Sequence, residues 1–422
     1  MSSFVSGIAA PTRVEPVTPV ASRWVALFAT AWLGVWMAQL TPIQLLLPAQ
    51  IQTELRTGYW VDNVLWFGVV SGIAGLCAVV AYPLTGALSD RTTSRLGRRR
   101  PWVAGGALLF ALALLALGVQ TTMAGIAMFW ALALTGFCVL TAALTAMICD
   151  QVPVGQRGYV SGWMSAPQAI GIIVGLLLVT VLGLGTLGGY ALAAVALLVL
   201  VAPFVLVVPD PQHVARGLPP LTPRHILGEL WISPRRHSDF GWTLLSRVLV
   251  NLGNAFGTTL LLYFLEFGLH DASAENDLIP LVLVYMVFVI AASLVLGRVS
   301  DRMQRRKLFV FIASVVQALA ALLLAFLPSM PTAYVGSALL GLGYGCFLSV
   351  DQALATQVLP DPESRGKDLG IMNIAWAIPQ AFGPLLGGVV VFWLGGFTGL
   401  FVLAGVAALL GAVAVARVRS VA

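Results

Sequence analysis

Two charges stand where an apolar chain has least use for them. Arg247 falls inside the apolar run 240–268, and Asp351 falls inside the run 332–358. A guanidinium within a membrane span costs at least about 2.5–3.5 kcal/mol. Arg247 therefore requires a partner. If its run enters the membrane near Asp239, Arg247 lies about eight residues up, roughly 12 Å at 1.5 Å per residue. Asp351 lies about nine residues up from the end of its own run near Pro360, roughly 13.5 Å. Opposite charges at matching depth can pair, and such a pair can respond to protons, because protonating the carboxyl releases the guanidinium. A static ion pair holding two helices together is the alternative.

The polar side chains at similar depth point to a binding chemistry. Arg247, Asn251 and Asn254 are spaced four and three apart and share one helix face. Gln39 lies on the first apolar run, Gln168 on the fifth, and Asn373, Trp376 and Gln380 on the eleventh. Planar amides bind pairs of hydroxyls, and an aromatic ring stacks on the apolar face of a sugar. Taken singly, each polar side chain reads more readily as an interhelical hydrogen bond. No nucleophile, base and orienting group fall together, and no metal-ligand spacing occurs, so neither an enzyme nor a metal or cofactor site is expected. The four cysteines, Cys77, Cys138, Cys149 and Cys346, are widely separated in apolar runs and read as packing residues.

The elements that position these residues follow from composition. The 422-residue chain is 59% hydrophobic and 9% charged, where a soluble domain carries about 25% charged residues. Apolar runs fall near 24–49, 63–88, 102–120, 124–149, 160–185, 188–208, 240–268, 277–299, 307–328, 332–358, 369–394 and 397–416. Runs of about 20 residues span a bilayer. The chain reads as an all-α membrane protein of twelve transmembrane helices. The basic residues lie in alternate loops: Arg91 to Arg100, Arg157, Arg216 to Arg236, Arg298 to Lys307, Arg365 with Lys367, and Arg417 with Arg419. By the positive-inside rule those loops and both termini are cytoplasmic, and the formal charge of +6 needs no nucleic-acid partner to explain it. For the arginines Arg98 to Arg100 orientation alone is a sufficient reason. Residues 1–23 read as a disordered tail, 24–208 as one six-helix bundle, 209–239 as a linker, 240–416 as a second bundle and 417–422 as a tail.

Self-comparison supports the division into halves. Gly86-Ala-Leu-Ser-Asp90-Arg91 returns as Gly297-Arg-Val-Ser-Asp301-Arg302, and Pro167-Gln168-Ala-Ile-Gly171 returns as Pro379-Gln380-Ala-Phe-Gly383. The offsets are 211 residues (86 to 297) and 212 residues (167 to 379). Two unrelated motifs that share one offset indicate a duplicated bundle.

These loops, together with Asp150-x-x-Pro153-x-x-x-Arg157-Gly158, resemble the signatures of the major facilitator superfamily over the whole chain. Within it, Ser89 to Trp102, Trp36-Met-Ala-Gln39-Leu-Thr-Pro-Ile-Gln44 and Leu369 to Gln380 resemble the sucrose transporters and the glycoside–pentoside–hexuronide cation symporters. The fourth run differs from theirs in carrying no charge between Ala124 and Ile148. The resemblance implies two pseudo-symmetric six-helix bundles, with helices one, four, seven and ten around a central cavity, so that Arg247 and Asp351 face each other as a proton-coupling pair. It implies a cytoplasmic gate made by Asp90, Arg91, Asp150, Arg157, Asp301 and Arg302. Gln39, Gln168, Asn251, Asn254, Asn373, Trp376 and Gln380 become substrate-binding candidates. The function expected is secondary transport of a sugar or glycoside by a monomer in a bacterial inner membrane, coupled to protons. A proton-driven exporter of a drug or amphipathic metabolite is one alternative, and a non-transporting membrane receptor or assembly factor is the other.

Overall fold

The computed structural model describes residues 16–55, 60–211, 236–258, 260–261, 264–360 and 365–421. Among these, twelve long helical segments alternate with short connections. The first, α1, is Ser22–Thr41, continued by a π-helical turn at Pro42–Leu46 into Leu47–Leu55. Then come α2 (Trp60–Asp90), α3 (Arg100–Gly118), α4 (Met123–Gln151), α5 (Arg157–Val181) and α6 (Thr186–Val207). The second set is α7 (Ser238–Thr258), α8 (Ala274–Met303), α9 (Arg306–Phe326), α10 (Met330–Ala355), α11 (Arg365–Trp393) and α12 (Gly396–Ala416). Ten candidate spans are long and apolar enough to cross a membrane. Of the expected tail and linker, residues 1–15 and 212–235 lie outside the described residues.

Local chemistry sets several boundaries. Thr122 caps α4 by accepting from Gly125 N at 3.1 Å, and Ser329 and Thr332 form a capping box at the start of α10. Pro101 sits in the first turn of α3, where its missing N–H costs nothing. Gln304, in the left-handed region at φ 53°, ends α8.

Packing repeats the sequence duplication. In the first half α1 packs on α5 and α6, α2 on α4, and α3 on α4 and α6; each pair recurs six helices later. The halves meet through α2 against α11 and α5 against α8, again as counterparts. Large apolar side chains such as Leu76, Leu112, Leu177 and Leu206 stay exposed on the outer faces. That is the surface a bilayer covers.

Glycine permits the closest crossings between the halves. A β-carbon on Gly86 would meet the backbone of Gly366, and one on Gly297 would lie 2.6 Å from Gly158 O. These are the first residues of the two Gly-x-x-Ser-Asp-Arg motifs, so each motif seats its aspartate against the opposite half.

Candidate functional site: two gates and a buried ion pair

The aspartate of each motif lies in the last turn of its helix and reaches the first turn of a helix in the other half. Asp90 accepts from Gly366 N at 3.2 Å and Lys367 N at 3.1 Å. Asp301 accepts from Gly158 N at 3.1 Å and Tyr159 N at 2.8 Å. The first-turn N–H groups have no helical acceptor, and the helix dipole favours an anion there by about 0.3–1 kcal/mol, up to about 2 when partly buried. Both contacts join the two halves at the basic end of the molecule and are the candidate gate contacts.

Arginines complete each gate. Arg99 Nη2 meets Asp90 at 2.7 Å and its Nε meets Asp150 Oδ2 at 2.9 Å, while Arg98 also bonds Asp90 and Arg99 Nη1 bonds Ser89. Burial opposes the charge of Arg99, yet Asp150 and Asp90 raise its pKa above the ordinary value. Asp210 accepts from the backbone N–H groups of Arg99 and Arg100, capping α3. In the second gate Arg306 Nη2 meets Asp301 Oδ1 at 2.9 Å and Nη1 donates to Ala353 O at 3.1 Å. Arg157 Nε donates to Val152 O at 3.1 Å and Nη1 to Thr356 Oγ1 at 3.3 Å. Arg365 Nη1 donates to Cys149 O at 3.1 Å, joining α11 to α4.

This corrects one sequence reading. Arg98 and Arg99, to which orientation alone was assigned, are fully buried against Asp90. Arg302 is exposed and Arg91 half-buried, and the arginine that Asp301 meets is Arg306. The missed signal was available, since Arg157-Gly158 recurs as Arg365-Gly366, each at a helix start facing the other half's aspartate.

The charge pair lies deep between the halves. Arg247 Nε is 2.8 Å from Asp351 Oδ2, and Arg247 Nη2 donates to Gln352 Oε1 at 3.1 Å. The residues are 6% and 2% exposed. Arg247 Nη1, Asp351 Oδ1 and Gln352 Nε2 are buried without hydrogen-bond partners. They border a cavity of about 60 Å³ whose other walls include Thr141, Thr145, Ser165 and Asn373.

A larger cavity of about 500 Å³ lies on the far side from the gates and is lined by residues of both halves. None of the described residues that line it is charged. Gln39, Gln44, Gln168, Gln380 and Asn254 bring carboxamides to its walls, and Phe67, Trp130, Tyr285 and Trp376 bring rings. Gln39 Oε1 is buried there without a partner. Tyr285 donates to Asn254 Oδ1 at 3.2 Å, and Tyr344 to Asn251 Oδ1 at 3.0 Å, while Asn251 Nδ2 turns back to Arg247 O at 2.7 Å. Tyr82, Phe137, Gln168 and Trp376 border both cavities and so form the partition between them. Trp36 joins this partition, 5.4 Å from Trp376 between ring centroids, with Phe137 6.0 Å from each. Of the candidates named from sequence, Gln39, Gln168, Asn254, Trp376 and Gln380 face the larger cavity; Asn251 and Asn373 face the smaller one with Arg247 and Asp351. Tyr82, Trp130, Phe137 and Tyr285 were not singled out, because a buried aromatic residue on an apolar helix gives no signal of its own.

Comparison with known proteins agrees with this architecture. The family description Major Facilitator Superfamily matches residues 28–276 and 254–421. The human organic anion transporter MFSD10 (TETRAN) superposes with a TM-score of 0.78 at 18% identity, over 94% of this chain and 100% of that one. The proton:xylose symporter XylE bound to 6-bromo-6-deoxy-D-glucose gives 0.71 at 13% identity, over 94% and 96%. FucP in the outward conformation gives 0.69 at 11% identity, over 94% and 99%. Among curated sequences, Multidrug resistance protein MdtG of Serratia proteamaculans (strain 568) is 29% identical over 163 residues, 38% of either chain. Multidrug resistance protein 3 of Bacillus subtilis (strain 168) is 28% identical over 106 residues, 25% of this chain and 20% of that one. The chain thus spans well under half the length of the curated relatives it matches. With paired six-helix bundles, a repeated aspartate motif that joins each half to the other and a family match over nearly the whole chain, this protein belongs to the major facilitator superfamily.

Proposed function

We propose that the protein moves a neutral, hydroxyl-bearing amphipathic solute, a sugar or glycoside, by alternating access, with a proton carried on Asp351. One observation carries this reading: an uncharged cavity rich in carboxamides and rings lies directly above an under-bonded buried ion pair. Amides and tyrosine hydroxyls would grip sugar hydroxyls, and Trp376 would stack on the apolar sugar face. Gln39, Gln168, Gln380 and Asn254 are the binding residues of this proposal, with Asn251 and Asn373 one layer deeper. Protonation of Asp351 would free Arg247 and alter the packing of α7 on α10, which gives the proton a differential effect on the two states. Asp90, Asp150 and Arg157, with Asp301, Arg98, Arg99 and Arg306, would hold the cytoplasmic end shut, an orientation taken from the basic loops.

A second reading, export of an amphipathic compound, draws on the apolar share of the same walls, Ile43, Phe67, Leu134, Met286 and Leu340, and on the multidrug relatives. Uptake of labelled mono- and disaccharides and aryl glycosides into proteoliposomes, with and without an inward proton gradient, separates the two. Gradient-dependent accumulation in wild type, lost in Asp351→Asn while unlabelled-for-labelled exchange persists, is the expected result. Absence of any saccharide or glycoside flux under either gradient rejects the sugar reading and leaves export.

A further inference from the structure

Arg247 and Asp351 cancel each other's charge only while the carboxyl is ionised. A neutral Asp351 leaves Arg247, 6% exposed, without a counter-charge, and stripping one partner from a buried pair is strongly destabilising. The surroundings offer no replacement. Among the described walls of the small cavity α2 brings the phenol of Tyr82, and the phenol of Tyr344 on α10 lies one layer above, bonded to Asn251. The walls from α1, α4, α5 and α11 carry no titratable side chain. The groups left unsatisfied there are mostly donors. Arg247 Nη1, Gln352 Nε2 and Trp32 Nε1 are buried without hydrogen-bond partners on residues that line this cavity, against one such acceptor, Asp351 Oδ1. Gln352 and Trp32 are 1% and 2% exposed. Protonation of Asp351 adds an O–H donor to this set.

We propose that the small cavity takes a chloride ion in the state in which Asp351 holds its proton. A halide is an acceptor from every direction, so it suits N–H groups that converge from separate helices, Arg247 on α7, Gln352 on α10 and Trp32 on α1. The cavity of about 60 Å³ exceeds the roughly 10–15 Å³ that a single water needs. Proton and anion enter as a neutral pair, which a desolvated site admits at lower cost than either charge alone. The walls shared by the two cavities, Tyr82, Phe137, Gln168 and Trp376, set the ion beneath the floor of the large one. Coupled transport then requires chloride as well as protons. This rests on the reading of Asp351 as the proton carrier, and not on which solute the large cavity holds.

The test needs no solute. Purified protein in uncharged detergent is melted in sodium chloride, bromide and gluconate of equal ionic strength, in mildly acidic and in mildly alkaline buffer. Chloride and bromide well above their dissociation constants should raise the melting temperature over gluconate by about 3 °C in acid, and leave it unchanged in alkali. Asp351→Asn keeps the site neutral and should show the rise in both buffers. Gln352→Leu removes a donor and should show it in neither. If a variant does not fold, the wild-type melts still decide. If water alone fills the cavity, neither halide raises the melting temperature over gluconate in either buffer, and the proposal is overturned. A rise of equal size in both buffers would mean that the anion binds without regard to Asp351, and overturns it as well. Failure here leaves the transport reading standing, whereas failure of that reading appears as gradient-driven accumulation that survives Asp351→Asn.

Discussion

The gate of Asp90 and the gate of Asp301 are built on one plan and balanced differently. Each aspartate lies in the last turn of a helix, follows a glycine by four residues, and accepts two N–H groups from an Arg-Gly start in the opposite half. Around Asp90 the chain adds two buried arginines and two further carboxylates; around Asp301 it adds Arg306 and carbonyl oxygens. The two halves therefore share the backbone contact that joins them and differ in the charge around it. The connection between motif and following helix is longer in the first half, from Asp90 to Arg100, than in the second, from Asp301 to Arg306, and the extra residues supply Arg98 and Arg99.

The comparison breaks most sharply at the aspartates. Asp90→Asn weakens the attraction that holds two fully buried guanidiniums and costs about 3–5 kcal/mol, the range for breaking a buried ion pair. Asp301→Asn leaves one arginine with carbonyl partners still in place, and costs about 2–3 kcal/mol, as for lost charged hydrogen bonds. Thermal melting in detergent should rank Asp90→Asn below Asp301→Asn, with transport falling in the same order. Equal or reversed ranking would mean that the arginines around Asp90 add nothing to the shared backbone contact. Alanine at the crossing glycines is the next effect. A β-carbon on Gly366 would lie 2.6 Å from Arg99 Nη1, and one on Gly158 2.7 Å from Asp301 Oδ1. Overpacking of this kind costs about 1–3 kcal/mol, and because both substitutions act on the shared contact, the two melting shifts should agree within about 1 kcal/mol. The smallest effect is at Asp210. Burial raises its carboxyl above the usual range, while the N–H groups of Arg100 and Arg99 act against that. A carboxyl whose pKa is higher folded than unfolded adds stability at low pH that is lost as pH rises. Asp210→Asn should therefore melt within about 0.5 kcal/mol of wild type at neutral pH, and wild type should gain on the variant as the solution is acidified.

Much of this architecture was legible in the residues. Helix count and pseudo-symmetry followed from apolar runs and from two motifs at one spacing, because a bilayer fixes span length and duplication fixes register. Arg247 and Asp351 could be placed at one depth because the rise of a helix is constant. The buried roles of Arg98, Arg99 and Arg306 were not legible. An arginine in a basic loop satisfies the orientation rule whether it faces water or folds back beneath a helix end, and only the position of the partner carboxylate separates these cases. The aromatic partition escaped for a related reason: Phe137 and Trp36 are ordinary in an apolar helix until neighbouring helices bring their rings together.

The tryptophans of α1 give this molecule an optical handle. Trp24, Phe28, Trp32 and Trp36 run along one face with centroids 4.9, 6.1 and 5.6 Å apart, and Trp36 then touches Trp376 of the other half at 5.4 Å. Indoles at such spacing couple their electronic transitions, so the near-ultraviolet circular dichroism of the stack depends on the Trp36–Trp376 contact. That contact crosses between the halves. Any movement that parts them at this depth should change the spectrum without an attached dye, and the signal should vanish in Trp376→Phe.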